Sequence, residues 1–353
     1  MDSLIKVMVV DDSAFMRKVI SEILSEEDDI EVIAKARNGV DALKKLEEEK
    51  PDVITLDVEM PQMNGIEFLE NLMAKHPLPV IMLSKLTSEE SKIAVKALEL
   101  GAFDFVAKPS GSISLDIETV KEELLAKIRL AAESSIKETL KNQTRKQKTI
   151  KNKASKRRKK ADIIKGSKGE KLVVIGASTG GPKALKEVIT LLPENFSVPV
   201  LIIQHMPPGF TASLAERLNN RSAITIKEAE AGDKLEAGTA LLAPGNYHMI
   251  LESNKIKLSQ EEKLHNVRPS VDKTIESVVK NFEGGIVGVL LTGMGSDGAK
   301  GLELIKEVGG ETVAQDKATS VVYGMPKAAV ELGAADKVLP IHKIAEEIVG
   351  LIS

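Results

Sequence analysis

Three polar residues in the second half of the chain have the types that supply a nucleophile, a general base and an orienting acid: Ser178 in GASTGG, His205 in QHMPPG and Asp297 in GMGSDGA. A serine hydroxyl attacks a carbonyl only when a base takes its proton, and an imidazole does so best when a carboxylate fixes its tautomer. Residues 176–180 fit G-x-S-x-G, where small neighbours let a tight turn expose the serine oxygen and the following helix start offers backbone N–H groups to an oxyanion. A rival reading gives the loop in LVVIGASTGGPKAL to a phosphate. GASTGG lacks both the spacing of G-x-G-x-x-G and the Gly-Lys-Ser/Thr of a nucleotide loop, which weakens that rival. Taken singly, a strand-end histidine is more often structural, and an aspartate among glycines is usually a turn residue.

A second group lies in the first half. Asp11, Asp12 and Asp57 are carboxylates that repel one another unless a hard cation with oxygen ligands neutralises them, and Mg²⁺ suits an open cluster that keeps several waters. Asp57 as phosphoryl acceptor, Lys108 pairing with the phosphate and Ser84 donating a hydrogen bond form a consistent set. Each again has a plain alternative: a helix N-cap pair, a turn residue, a surface charge.

The elements that must position these residues are legible as alternating apolar runs and amphipathic segments. From 1 to 130 five βα repeats predict a (βα)5 domain with a parallel sheet, whose first, third, fourth and fifth strands end at Asp11-Asp12, Asp57, Ser84 and Lys108. From 171 to 353 the runs LVVIGA, VPVLIIQ and GIVGVLL predict a doubly wound, mainly parallel α/β domain. If these three strands are parallel neighbours, Ser178, His205 and Asp297 share the crevice at their carboxyl ends. The order serine, histidine, aspartate disfavours the α/β-hydrolase fold, while convergent geometry permits a triad in any order.

Composition narrows the field. With 353 residues and 42% hydrophobic content the chain has material for two cores, and with no cysteine it has no disulfide, thiolate metal site or cysteine nucleophile. No run is long enough to span a membrane and no signal-peptide pattern opens the chain, so a cytoplasmic location without membrane insertion is expected. The net charge of −3 hides an asymmetry: residues 137–171 hold fifteen Lys/Arg against three Asp/Glu, a net of +12 that leaves −15 for the rest. Few large apolar residues occur there, so 131–170 is read as a basic, solvated linker, with an anionic partner as the lesser alternative. No interleaved aromatics or helix-turn-helix pattern accompany it, and no nucleic-acid partner is expected.

Residues 1–130, through VVDDS, LDVEMPQMNG, Ser84 and AKPSG, resemble response-regulator receiver domains. The resemblance implies that Asp57 is phosphorylated, that Asp12, Asp57 and the Glu59 carbonyl hold Mg²⁺ with Asp11 in support, and that Ser84 and Phe105 form a switch pair. Lys85 departs from the small residue usual beside the phosphate. The second half, through GASTGGP, QHMPPGFT, LTGMGSDGA and VRPSVD, resembles the catalytic domain of the chemotaxis protein-glutamate methylesterases, which couple the same two domains. That implies Ser178 as nucleophile, His205 as general base, Asp297 as its partner and the backbone N–H groups of Thr179 and Met294 as oxyanion donors. It also implies glutamate γ-methyl esters and glutamine amides of chemoreceptor cytoplasmic domains as substrates, a chemotaxis histidine kinase as phosphoryl donor, and no cofactor for the esterase step. The receiver is expected to cover the cleft until phosphorylated. Arg268, Tyr323 and Met325 fall in the family-like segments VRPSVD and YGMPKAA and are candidates for lining the substrate cleft, but packing, and for Arg268 a pairing with Asp272, is the plainer reading. His76, His248, His265 and His342 are read as surface or structural.

Overall fold

The computed structural model describes residues 4–85, 87–108, 116–133 and 170–353. The chain divides into two compact units. Of the expected linker 131–170, residues 131–133 instead end a helix with Ala131 buried, Glu170 is described, and the rest lies outside the described residues, as does Pro109.

The first unit alternates β1 (Ile5–Val10), α1 (Ala14–Ser25), β2 (Ile30–Ala36), α2 (Gly39–Glu48), β3 (Val53–Asp57), α3 (Gly65–Lys75), β4 (Val80–Ser84), α4 (Ser88–Leu100), β5 (Asp104–Ala107) and α5 (Asp116–Glu133). The sheet order is β2-β1-β3-β4-β5, parallel throughout, as the repeats predict. β3 and β4 are buried along their whole length because helices cover both faces, which is why they read as unbroken apolar runs. The first four helices each begin on a capping side chain, Ser13, Asn38, Asn64 or Thr87, that accepts a backbone N–H three residues on.

The second unit comprises β6 (Lys171–Ala177), α6 (Gly181–Ile189), β7 (Val200–Gln204), α7 (Phe210–Asn219), β8 (Thr225–Glu228), β9 (Thr239–Leu242), β10 (His248–Glu252), β11 (Lys255–Ser259), α8 (Val271–Asn281), β12 (Gly285–Leu290), α9 (Ala299–Glu307), β13 (Glu311–Gln315), α10 (Met325–Glu331), β14 (Lys337–Leu339) and α11 (Ile341–Ile352). Its seven-stranded sheet has the order β14-β13-β12-β6-β7-β9-β8 with every pair parallel, and β10–β11 forms a separate antiparallel hairpin. The chain leaves β6 toward β7 on one side and returns to β12 on the other, so strand order reverses at β6, the place where α/β sheets open a crevice. Leu172, Val174, Leu201, Leu290 and Leu302 are among the buried side chains of the core beneath it. Unlike the first unit, α6, α7 and α9 begin on glycines with no side-chain cap, so their first N–H groups find partners elsewhere.

Candidate active site and phosphoacceptor site

The register of the central strands brings the three expected residues to one place. Ala177 of β6 pairs with Gln204 of β7, and the His205 N–H donates to the Ala177 carbonyl at 3.1 Å, so Ser178 and His205 leave neighbouring strands at the same level. On the other side β12 runs level with β6, and the Ser178 N–H donates to the Thr292 carbonyl at 3.0 Å. The turn that follows delivers Asp297, whose Oδ2 lies 2.7 Å from His205 Nε2. Asp297 is buried, the His205 side chain is 10% exposed, and Ser178 is half-buried.

The Ser178 turn is built by close approach. Gly180 has φ +76°, and a Cβ at Gly181 would lie 1.9 Å from Gln204 Oε1, so only glycine lets α6 begin here. Buried Gln204 Nε2 donates to the carbonyls of Ser178 at 2.9 Å and His205 at 3.2 Å, strapping the two turns together. Gln204 was not singled out in the sequence, although a polar residue closing VLIIQ was the available signal. Thr292 braces the other wall: its Oγ1 donates to the Thr179 and Val322 carbonyls at 2.9 and 3.1 Å, and its N–H donates to Gln315 Oε1 at 2.8 Å. A Cβ on Gly293 would meet the Ser178 Cβ at 2.7 Å, which places Met294, 42% exposed, on the rim beside the serine. Thr179 and Met294 therefore flank Ser178.

Asp297 sits in a ring of donors. Ser270 Oγ and the Asp272 N–H reach Oδ1 at 2.8 and 3.1 Å, and the Val271 N–H reaches Oδ2 at 2.7 Å. Burial pushes the Asp297 carboxyl up, but His205 and these backbone donors outweigh it and hold the group below the usual carboxylate range. Neighbouring Asp272 is raised, by burial first and then by the Asp297 charge. Arg268 does not pair with Asp272: it donates to the Gln260 and Glu261 carbonyls and to Asn246 Oδ1, each at 2.7 Å, and Asp272 instead meets His265 Nε2 at 3.1 Å. The i,i+4 rule fails because α8 begins at Val271, leaving Arg268 outside the helix. Met325 is fully buried and packs; Tyr323 is half-buried and bridges Gly293 through its backbone. His248 is buried, with Nε2 on the Glu262 carbonyl at 3.1 Å, a structural setting.

In the first unit Asp11, Asp12 and Asp57 each bring a carboxylate oxygen within 4.8 Å of the others. Lys108 Nζ lies 2.8 Å from Asp11 and 2.7 Å from Asp57. Burial raises the Asp57 carboxyl to about 6, against the pull of Lys108 and with the Asp11 and Asp12 charges adding to the rise. A cluster with one exposed member, Asp12, and oxygen donors only has the chemistry of a hard-cation site. Ser84 Oγ is directed to buried Glu90, donating to its Oε2 at 3.2 Å, and Lys85 Nζ spans Glu59 at 3.5 Å and Glu90 at 3.4 Å. Glu90 escaped the sequence reading. Phe105 is buried, its carbonyl accepting from Lys127 Nζ at 2.6 Å.

Residues 173–348 match the family model for CheB methylesterase, and residues 7–118 match that for the response regulator receiver domain. A protein-glutamate methylesterase/protein-glutamine glutaminase of Symbiobacterium thermophilum is 48% identical over 98% of this chain and 96% of its own length. Its counterpart of the same description in Thermotoga maritima is 45% identical over 99% of both chains. Among solved structures, the Thermotoga maritima CheB methylesterase catalytic domain matches with a TM-score of 0.50 at 46% identity, covering 52% of this chain and 99% of that one.

Proposed function

The chain belongs to the CheB methylesterase family, and on that premise we propose that Ser178, His205 and Asp297 carry the hydrolysis. The protein is a receiver-regulated protein-glutamate methylesterase and protein-glutamine glutaminase of chemotaxis. Ser178 Oγ attacks the γ-carbonyl carbon of a receptor methyl-glutamate while His205 takes the hydroxyl proton. With Nε2–H held by Asp297, the ring presents Nδ1 for that transfer. The C–OCH₃ bond breaks, the imidazolium returns its proton to the leaving oxygen, and methanol departs. Water, deprotonated by the same imidazole, then releases the receptor carboxylate and regenerates the serine; with a glutamine the leaving group is ammonia. The backbone N–H groups of Thr179 and Met294 hold the oxyanion.

In the receiver, Asp57 takes the phosphoryl group from a chemotaxis histidine kinase, and Lys108 pairs with the transferred oxygens. Asp12, Asp57 and the Glu59 carbonyl would hold Mg²⁺ with Asp11 in support, and the ion would supply charge neutralisation for phosphoryl transfer. Since the substrates are receptor cytoplasmic domains, the protein works in the cytoplasm, and among the described residues no helix is long and apolar enough to cross a membrane.

The observation that carries the catalytic assignment is the 2.7 Å His205–Asp297 contact at strand ends level with Ser178. Methanol release from a methylated receptor fragment tests it. Ser178→Ala should lose at least ~10³-fold in kcat, and an undiminished rate removes the assignment. In the wild-type enzyme beryllofluoride with Mg²⁺ should raise the rate, and Asp57→Asn should abolish that response.

A further inference from the structure

Helices α8 and α9 exchange carboxylates at their N-termini. Asp297 belongs to the turn that starts α9, yet its oxygens are bound by the start of α8, through the N–H groups of Val271 and Asp272 and the hydroxyl of Ser270. Asp272, in the first turn of α8, returns the contact: its Oδ1 accepts the Gly298 N–H at 2.9 Å and the Gly301 N–H at 2.7 Å, both from the start of α9. Each helix's unpaired first-turn donors are thus satisfied by an acid from the other helix, replacing the side-chain cap that α9 lacks. The approach is tight. A Cβ on Gly301 would lie 2.7 Å from Ile275 Cδ1 and 3.1 Å from Asp272 Oδ1, and one on Gly298, at φ +91°, would lie 2.8 Å from Val271 Cγ1.

Gly298 directly follows Asp297, so the peptide that leaves the acid is fixed by Asp272. We propose that Asp272 is a positioning residue for the hydrolysis: it locks the turn carrying Asp297, and thereby the orientation in which Asp297 holds His205. The inference rests on the triad reading above. Asp272 is buried beside a second carboxylate, an arrangement that burial and the Asp297 charge make unfavourable for it, and His265 Nε2 at 3.1 Å from Oδ2 offsets part of that cost. His265, Asp272 and Asp297 also have metal-ligand types within 4.8 Å of one another. Their carboxylate oxygens are already taken up by the backbone, Ser270, His205 and His265, so positioning and not cation binding is the role they fit.

The test uses the intact protein with beryllofluoride and a methylated receptor fragment. Asp272→Asn keeps an oxygen that accepts both backbone N–H groups and should stay within about threefold of wild type in kcat. Asp272→Glu keeps the charge but displaces the carboxylate by one methylene, and Asp272→Ala removes the acceptor. Both should lose about 10²-fold in kcat with KM nearly unchanged, the loss that follows a displacement near 1 Å in a catalytic group. Wild-type kcat in the Glu or Ala variant, or an Asn variant as impaired as Glu, overturns the proposal. If Ala does not fold, the Asn-against-Glu comparison decides alone. Ser178→Ala in the same assay separates the two readings: full activity there removes the triad itself, whereas a dead Ser178→Ala beside an indifferent Asp272 series removes only the positioning role.

Discussion

Gly181→Ala probes the join between Ser178 and His205, the proposed nucleophile and base, without changing either side chain. The new methyl would lie 1.9 Å from Gln204 Oε1, 2.9 Å from Gln204 Cδ and 2.9 Å from the Ala177 Cβ, none of them tolerable. Gln204 is 2% exposed, so its amide has to leave the Ser178 and His205 carbonyls or the backbone of α6 has to retreat. Two hydrogen bonds lost at about 1 kcal/mol each, with overpacking at about 1–3 kcal/mol, give a destabilisation of about 3–5 kcal/mol. The helix preference for alanine over glycine returns about 1 kcal/mol at most. Both tyrosines, Tyr247 and Tyr323, lie in the second unit, so urea unfolding followed by near-ultraviolet circular dichroism reads this unit's transition. Methanol release should fall by about 10²-fold, because Ser178 and His205 are no longer held in one frame. A cycle with Gln204→Ala sharpens the test: truncation removes the colliding amide, so the double variant should be more stable than the two single effects predict when added. A midpoint and rate unchanged by Gly181→Ala, or strict additivity with Gln204→Ala, refutes the reasoning.

Two further outcomes are expected in the receiver. Asp57 is buried with its carboxyl raised from 3.8 to about 6, so the folded receiver binds this proton more tightly than the unfolded chain does. The associated stability is present below about pH 4 and is lost as pH rises through 6, by about 3 kcal/mol. In chelator, Asp57→Asn should remove that slope between pH 4 and 6.5, read by hydrogen exchange of the first-unit amides; an identical slope in both proteins contradicts it. Glu90→Ala should remove the charged acceptor of the Ser84 hydroxyl, leaving only the Lys85 carbonyl at 3.2 Å, and tighten beryllofluoride binding about tenfold, the worth of one hydrogen bond to a charged acceptor at its low end. Unchanged or weaker affinity by titration calorimetry would show that Glu90 does not compete for Ser84.

What could be read in the sequence was what lies along a strand. β6, β7 and β12 are apolar throughout their buried interiors, so the polar residues ending or following them stood out, and parallel pairing brought Ser178, His205 and Asp297 together. What could not be read depends on packing between distant segments. The Ser270-Val271-Asp272 stretch looks like an ordinary helix start, and nothing local shows that Asp272 takes donors 26 and 29 residues away. Glu90 likewise reads as a first-turn acid of α4, and only the fold buries it against Ser84. The β10–β11 hairpin was within reach and was passed over. KIKLS alternates polar and apolar residues after Ser253-Asn254, which both take positive φ, the turn that joins such strands.

The place of β12 beside β6 also bears on how the second unit is made. His205 and Asp297 are 92 residues apart, and β12, which pairs with the open side of β6, is synthesised after the β8–β9 edge and the hairpin. Until β12 arrives, β6 presents one side of its backbone as an unpaired edge lined with the apolar run LVVIGA, and α8 has no turn from α9 to receive. A chain cut short before Gly285 therefore ends with an open, aggregation-prone edge and no acid for His205. β12 both covers the β6 edge and leads into the turn that carries Asp297, so a chain lacking it holds Ser178 and His205 without the acid proposed to orient the base.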